Sequence, residues 1–188
     1  EGHPLNGVDT IEIKQMTAKE EDILTSRSLL RKGIALDRVI QNIIVDKSID
    51  PDSILVGDRN AIIIATRVSG YGPEYATKIS CPQCSATQEY QFDLNESNVY
   101  NGDDIDKLDL TNHNDGTFSV KLPKTQLDIR FRLLNGYDEK YFANQAENKK
   151  KKNGPENNIT RQLGILIVAV NDNDSADAIN YVINNIPS

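Results

Sequence analysis

The chain has 188 residues, of which 38% are hydrophobic and 26% charged. That length suits one domain or two small ones and suffices to bury a core without staples. A formal charge of −7 disfavours binding to phosphate backbones, the absence of Trp argues against an aromatic nucleic-acid platform, and no run of about 18 apolar residues exists to span a membrane.

The start, EGHPLNGV, has neither a basic nor an apolar signal region and predicts no signal peptide. It lacks an initiator Met, and the end at Ile186-Pro187-Ser188 has no tapering tail, so the chain reads as trimmed. Asp9 to Lys14 alternates, with Ile11 and Ile13 on one side, and predicts a short strand. Thr17 then opens a helix. Its hydroxyl and Glu20, three residues on, form a capping box, while Glu20, Glu21 and Asp22 face the positive end of the helix dipole. Arg31, Lys32 and Gly33 suit its end. Leu36, Val39, Ile40, Ile43 and Ile44 make one stripe of a second amphipathic helix. Burial of each such side chain contributes roughly 1.5–3 kcal/mol before entropy. Asp50-Pro51 starts a short turn through Leu55. Asp58 is the expected cap of a third helix, apolar nearly all round from Ala61 to Ala65 and so expected at the centre of a bundle. Gly70, Gly72 and Pro73 end it.

The period then changes from that of a helix to that of a strand. Tyr75, Thr77 and Ile79 alternate with polar neighbours, as do Tyr90, Phe92 and Leu94, which predicts a hairpin with CPQC in its connection. Asn95 to Asn114 is polar, acidic and Asn-rich, and reads mainly as loop. Thr117 to Leu122 and Leu127 to Leu133 alternate strictly and predict a second hairpin joined by Pro123 to Gln126. The helical period returns at Tyr137 to Ala146, ended by the run Lys149 to Lys152, whose plain reading is a solvated helix end. Ile159, Leu163, Leu166, Ile167 and Val170 form a further helical stripe, and Asp174 or Ser175 can cap a last helix bearing Ile179, Val182, Ile183 and Ile186.

The fold class predicted is α+β: a helical body from the two ends of the chain, with a central hairpin-rich insert carrying a zinc-ribbon-like C-x-x-C turn. The expected divisions are 1–72, 73–135 and 136–188, the last packing on the first as one greasy interior.

Cys81-Pro82-Gln83-Cys84 is the one recognisable chemical motif, and it gives no disulfide framework of the secreted kind. Two thiolates on such a turn supply half of a tetrahedral zinc site. No second C-x-x-C exists, and His3 and His113 are the sole histidines. The competing readings are a knuckle turn with free thiols and, less well placed between two strands, a redox pair. Asp172 and Asp174 in VNDND lack the oxygens, Gly and distal Glu of a calcium loop and read as a helix-capping turn. Asp103, Asp104, Asp106 and Asp109 read as a solvated acidic loop. Gly70-Tyr71-Gly72 is no phosphate loop, and no nucleophile-elbow motif occurs, so no catalytic residue is singled out.

Three phrases carry a resemblance: IEIKQMTAKEEDILTSRSLLRKG, then VDKSIDPDSILVGDRNAIIIATRVSGYGPEY, then the CPQC turn, with a weaker echo from Gln162 to Pro187. In this order they resemble the baseplate hub assembly proteins of T-even-like contractile-tail bacteriophages, the phage base plate protein family. The resemblance implies a late, non-enzymatic protein, an assembly chaperone or virion component. It would act by contact with other baseplate hub or tail proteins, among them the tape-measure protein, in the host cytoplasm during tail assembly or in the tail itself. Charge and the lack of a long apolar run predict no nucleic-acid or membrane partner, and a homo-oligomer stays open. Two other readings stand beside it: a zinc-ribbon-type binding module, with Cys81 and Cys84 as metal ligands, and an enzyme without a recognisable motif.

Overall fold

A computed structural model describes residues 10–96, 109–150 and 158–185. They form a mixed fold of helices and two small antiparallel sheets. The chain divides into two compact units, one drawn from Thr10–Pro51 and Gly57–Tyr100, the other from Asp52–Val56 and Asn101–Ser188.

The first unit begins with an extended segment. It pairs only through an isolated bridge, Ile13 opposite Ile44, so the expected strand over Asp9 to Lys14 is reduced to one bridge, and Asp9 lies outside the described residues. Helix α1 (Ala18–Thr25) starts as expected. The amide and hydroxyl of Thr17 both donate to Glu20 Oε2, at 2.9 and 2.5 Å. The expected single helix breaks at Ser26, which is extended, and resumes as α2 (Arg27–Arg31). Thr25 Oγ1 donates to the Glu21 carbonyl at 2.9 Å, the kind of local hydroxyl bond that competes with helix continuation. Gly33 then turns left-handed at φ +68°, which its missing Cβ permits.

Helix α3 (Ala35–Ile43) buries Val39, Ile40 and Ile43, and Ile44 follows them inside. Leu36, expected in the same stripe, is 49% exposed. Lys47 Nζ closes the helix by donating to the carbonyls of Gln41, Asn42 and Ile44. Helix α4 (Val56–Tyr71) corrects two expectations. It starts two residues before Asp58, which therefore sits in its first turn and is not the cap. It also buries one line, Arg59, Ile62 and Thr66, while Ala61, Ile64 and Ala65 are exposed. The apolar run is thus not the centre of a bundle. The reason is Arg59, which takes the buried face by donating to the Pro51 carbonyl at 2.7 Å and to the Asp37 carboxylate. At the far end Arg67 donates to the carbonyls of Gly72 and Glu74, tying the helix to the hairpin that follows, β1 (Glu74–Ser80) and β2 (Thr87–Asp93).

The second unit is built on a four-stranded sheet, β3 (Leu110–Asn112), β4 (Thr117–Lys121), β5 (Asp128–Arg132) and β6 (Ile167–Val170), in that order and antiparallel throughout. The hairpin of β4 and β5 is the expected one. Strand β3 lies in the stretch expected as loop; three residues with one apolar side chain leave no alternation to read. Asp103, Asp104 and Asp106 of the acidic stretch lie outside the described residues. Strand β6 is a second correction. The expected helical stripe ends with α6 (Asn158–Leu166), and Ile167 and Val170 belong to a strand. The β-branched run Ile-Val-Ala-Val pairs with β5, and that tertiary pairing overrides the helical spacing. Ile129, Ile167 and Val170 form the core with Val182 of α7 (Ala176–Asn185). Ser175 caps α7, its Oγ accepting from the Ala178 amide at 3.3 Å. VNDND is a turn, with Asn171 and Asp172 left-handed and Asn171 Oδ1 accepting from the Asp128 amide at 2.9 Å.

Helix α5 (Gly136–Lys150) runs past the expected end at Ala146; Lys151 and Lys152 lie outside the described residues. Its start is closely held. Asn135 Oδ1 accepts from the Asp138 amide at 3.2 Å, Asp138 Oδ2 accepts from the Asn135 amide at 3.0 Å, and the Arg132 guanidinium donates to both Asp138 oxygens at 2.8 Å. Ile54, fully buried, is anchored beside it where the Gly136 amide donates to its carbonyl.

Among the described residues four carboxyls are held below their ordinary range: Glu20 chiefly by the Thr17 hydroxyl and amide, Asp138 chiefly by Arg132, Asp46 chiefly by Ser48 and Asp115 chiefly by Thr117. A group whose folded pKa is depressed adds stability above its unfolded value, about 4 for either acid, and loses it as pH falls through the folded value. Urea midpoints are therefore expected to hold level down to about pH 4.5 and fall below it. Glu20→Gln should flatten part of that fall. A midpoint unchanged at about pH 3 would contradict the assignment.

Candidate functional site

The β1–β2 hairpin is where exposed chemistry concentrates. Its register sets Tyr75 opposite Phe92, Thr77 opposite Tyr90 and Ile79 opposite Gln88, so one face carries three aromatic rings and an Ile. The other face pairs Glu74 with Asp93, Lys78 with Glu89 and Ser80 with Thr87, with Lys78 and Glu89 3.4 Å apart. Tyr90 and Phe92 stack edge-on with centroids 4.5 Å apart. Such alternation normally marks a face packed on a core. Here Tyr75, Tyr90 and Phe92 are 42–48% exposed. Among the described residues the sheet has only these two strands, so each has an outer edge. A two-stranded hairpin is marginal alone and gains most from a partner that covers one face.

The tip of the hairpin holds the two sequence-predicted site residues, and the structure brings them together. The Cys81 amide donates to the Ala86 carbonyl and the Ser85 amide to the Cys81 carbonyl, both at 2.9 Å. Ser85 is left-handed at φ 57°. This tight turn carries both Cys81 and Cys84, and neither is in a disulfide. The amides of Cys84 and Gln83 donate to the Cys81 sulfur and lower its pKa. Cys81 is half-buried and Cys84 exposed. The turn thus carries two thiols at an accessible point, the Cys81 thiolate being the favoured one. Among the described residues no group of three His, Cys, Asp or Glu could hold a metal. His113 stands elsewhere, its Nε2 2.7 Å from Ser119 Oγ, and His3 lies outside the described residues.

The same unit has an apolar groove of about 150 Å³ lined by Met16, Leu24, Leu36, Ile63 and Tyr71. Tyr71 closes its rim by donating to Glu21 Oε1 at 2.9 Å. Sequence reading missed the groove, because Leu36 fits the buried stripe by spacing alone. The aromatic face was legible as a face, but its exposure was not. Exposure depends on which layers reach the hairpin, and alternation says nothing about that.

Among the described residues no helix is long and apolar enough to cross a membrane. No curated protein and no solved structure matches the chain. A family model described as T4 bacteriophage base plate protein matches residues 3–121, a span that contains α1 to α4, both cysteines and the whole hairpin. The match covers more than half of the chain, and the protein belongs to the T4 bacteriophage base plate protein family.

Proposed function

We propose that this chain is a non-enzymatic structural or assembly protein of the tail baseplate hub, and that it works by contact with other hub or tail proteins. The partner-facing part is the β region between residues 73 and 134, with the aromatic face of the β1–β2 hairpin at its centre; the helical segments before and after it serve as the body. The observation that carries this reading is the exposure of Tyr75, Tyr90 and Phe92 on one face of a hairpin with two outer edges, inside the stretch that matches the family. Aromatic side chains supply large contact area at little entropic cost, and an outer strand edge can pair with a strand of another chain. The tape-measure protein is one partner of this kind that a hub protein would meet. Work of this sort is done in the host cytoplasm as tails assemble, and the assembled tail is the second place to find the chain.

Deleting residues 73 to 134 is a poor test, because it removes β4 and β5 and with them Ile129 of the second core. Paired substitution on the exposed face is sharper. The tagged Tyr90→Ser/Phe92→Ser chain, expressed in infected cells, is expected to capture other base plate proteins about tenfold less than the unsubstituted chain, a loss of roughly 1.4 kcal/mol. Its circular dichroism should be unchanged. Capture at the unsubstituted level would refute the hairpin as the docking face.

A further inference from the structure

We propose that the apolar groove of the first unit is a pocket for the last residue of a partner protein, one whose chain ends in a large aliphatic side chain beside its free carboxylate. The site lies among the helices, apart from the aromatic face of the hairpin, and stands whether or not that face docks. Its walls come from Met16 ahead of α1 and from α1, α3 and α4. Gly70 of α4 admits the Met16 side chain, since a Cβ there would stand 2.7 Å from the Met16 methyl. Two lining side chains, Leu36 and Tyr71, are about half exposed, so the groove opens to solvent. An apolar space of about 150 Å³ takes one group the size of benzene, which is the size of one large apolar side chain.

The charge in the wall selects the occupant. Arg67 is the one charged side chain that lines the groove, and it is half-buried. Its guanidinium lies over the Tyr71 ring, 5.0 Å from the centroid, and donates to the Gly72 and Glu74 carbonyls at 2.8 and 3.2 Å. Both acceptors are neutral, and a guanidinium has further N–H groups to give. Among the described residues Arg67 pairs with no carboxylate; Glu21, the acid at the rim, accepts from the Tyr71 hydroxyl instead. A cation partly withdrawn from water beside an apolar space is best met by an anion that brings its own apolar group. A C-terminal residue carries both on one Cα: the side chain fills the groove and the carboxylate meets Arg67. An internal acidic residue would need a second residue to fill the groove.

The test uses the full chain, isotope-labelled at the methionine methyl. Met16 is the only methionine, so the carbon–proton spectrum holds one methionine signal, and it comes from the groove wall. The probe is the peptide Gly-Ser-Gly-Ser-Leu with a free C-terminus; no base plate partner is present, so the outcome is separate from that of the capture experiment. The expected result is a saturable shift of the Met16 signal below about 5 mM peptide, with binding about tenfold weaker when the peptide is amidated or ends in Ser. Arg67→Gln should weaken the free peptide about tenfold and erase its advantage over the amide. Leu36→Asp, in the first turn of α3 where an acid suits the helix dipole, should weaken it as well. No saturable shift, equal binding of the amidated peptide, or an advantage of the free carboxylate that survives Arg67→Gln would each overturn the proposal. So would an amidated peptide with Asp beside Leu that binds as tightly, which would assign the groove to an internal segment. A Met16 shift that grows with chain concentration alone would assign it to a second copy and overturn the proposal too.

Discussion

Ile43→Ala is expected to destabilise the first unit by about 3–4 kcal/mol. Ile43 is fully buried at the last turn of α3, between Ile40 and Ile44, which are each 1% exposed. Truncation removes three carbons from a side chain with no exposed surface and leaves a void that its neighbours fill only in part. The backbone adds a reason for poor relaxation. The Ile43 carbonyl accepts from the Lys14 amide at 2.9 Å, and the Val45 amide donates to the Glu12 carbonyl at 3.0 Å, so the helix end is held on both sides. Ile43→Val, which removes one methyl, should cost about 1 kcal/mol. Urea unfolding followed by circular dichroism gives the loss, and amide exchange should place it in α1 and α3. An Ala variant within about 1 kcal/mol of the unsubstituted chain would show that this position is not closely packed.

Asp138→Ala is expected to cost the second unit about 2–3 kcal/mol. One carboxylate here serves three donors: both arms of the Arg132 guanidinium and the Asn135 amide that opens α5. Removal leaves the Asn135 amide without its acceptor and the Arg132 cation with the Leu133 carbonyl in place of a carboxylate, which costs more than the bonds themselves contributed. The figure stays below that of a fully buried pair because the Arg132 side chain is 32% exposed and water takes up part of the loss. Asp138→Asn keeps one acceptor oxygen and should lose about 1 kcal/mol. Because Arg132 holds the Asp138 carboxyl below its ordinary range, the difference between the unsubstituted and Ala chains should shrink as pH falls below about 4. A difference independent of pH would remove the charged pair as its cause.

The two capping boxes show what the sequence could and could not disclose. Thr17 with Glu20 is the familiar pairing and was legible from spacing alone. Asn135 with Asp138 has the same reciprocal geometry, but Asn and Asp recur so often in this chain that the pair does not stand out. Amphipathic periodicity located α3, the β1–β2 and β4–β5 hairpins and α7 within a few residues. It misplaced α4, because an apolar run was weighed without the buried Arg59 beside it. It also carried the α6 stripe into β6, because Ile167 and Val170 satisfy helical spacing and are equally suited to a strand that meets β5. For the candidate site, alternation showed the aromatic face of the hairpin and C-x-x-C showed its tip. Neither could show that the face is open, since burial is decided by elements distant in sequence.

The docking of the hairpin face on another base plate protein is most directly tested by placing a photoreactive phenylalanine at position 92 and irradiating infected cells during tail assembly. Tyr181, exposed on α7, is the control position. A covalent adduct between position 92 and a different base plate protein, absent from position 181, is the expected result. No adduct from position 92, or an adduct only with another copy of this chain, would contradict it.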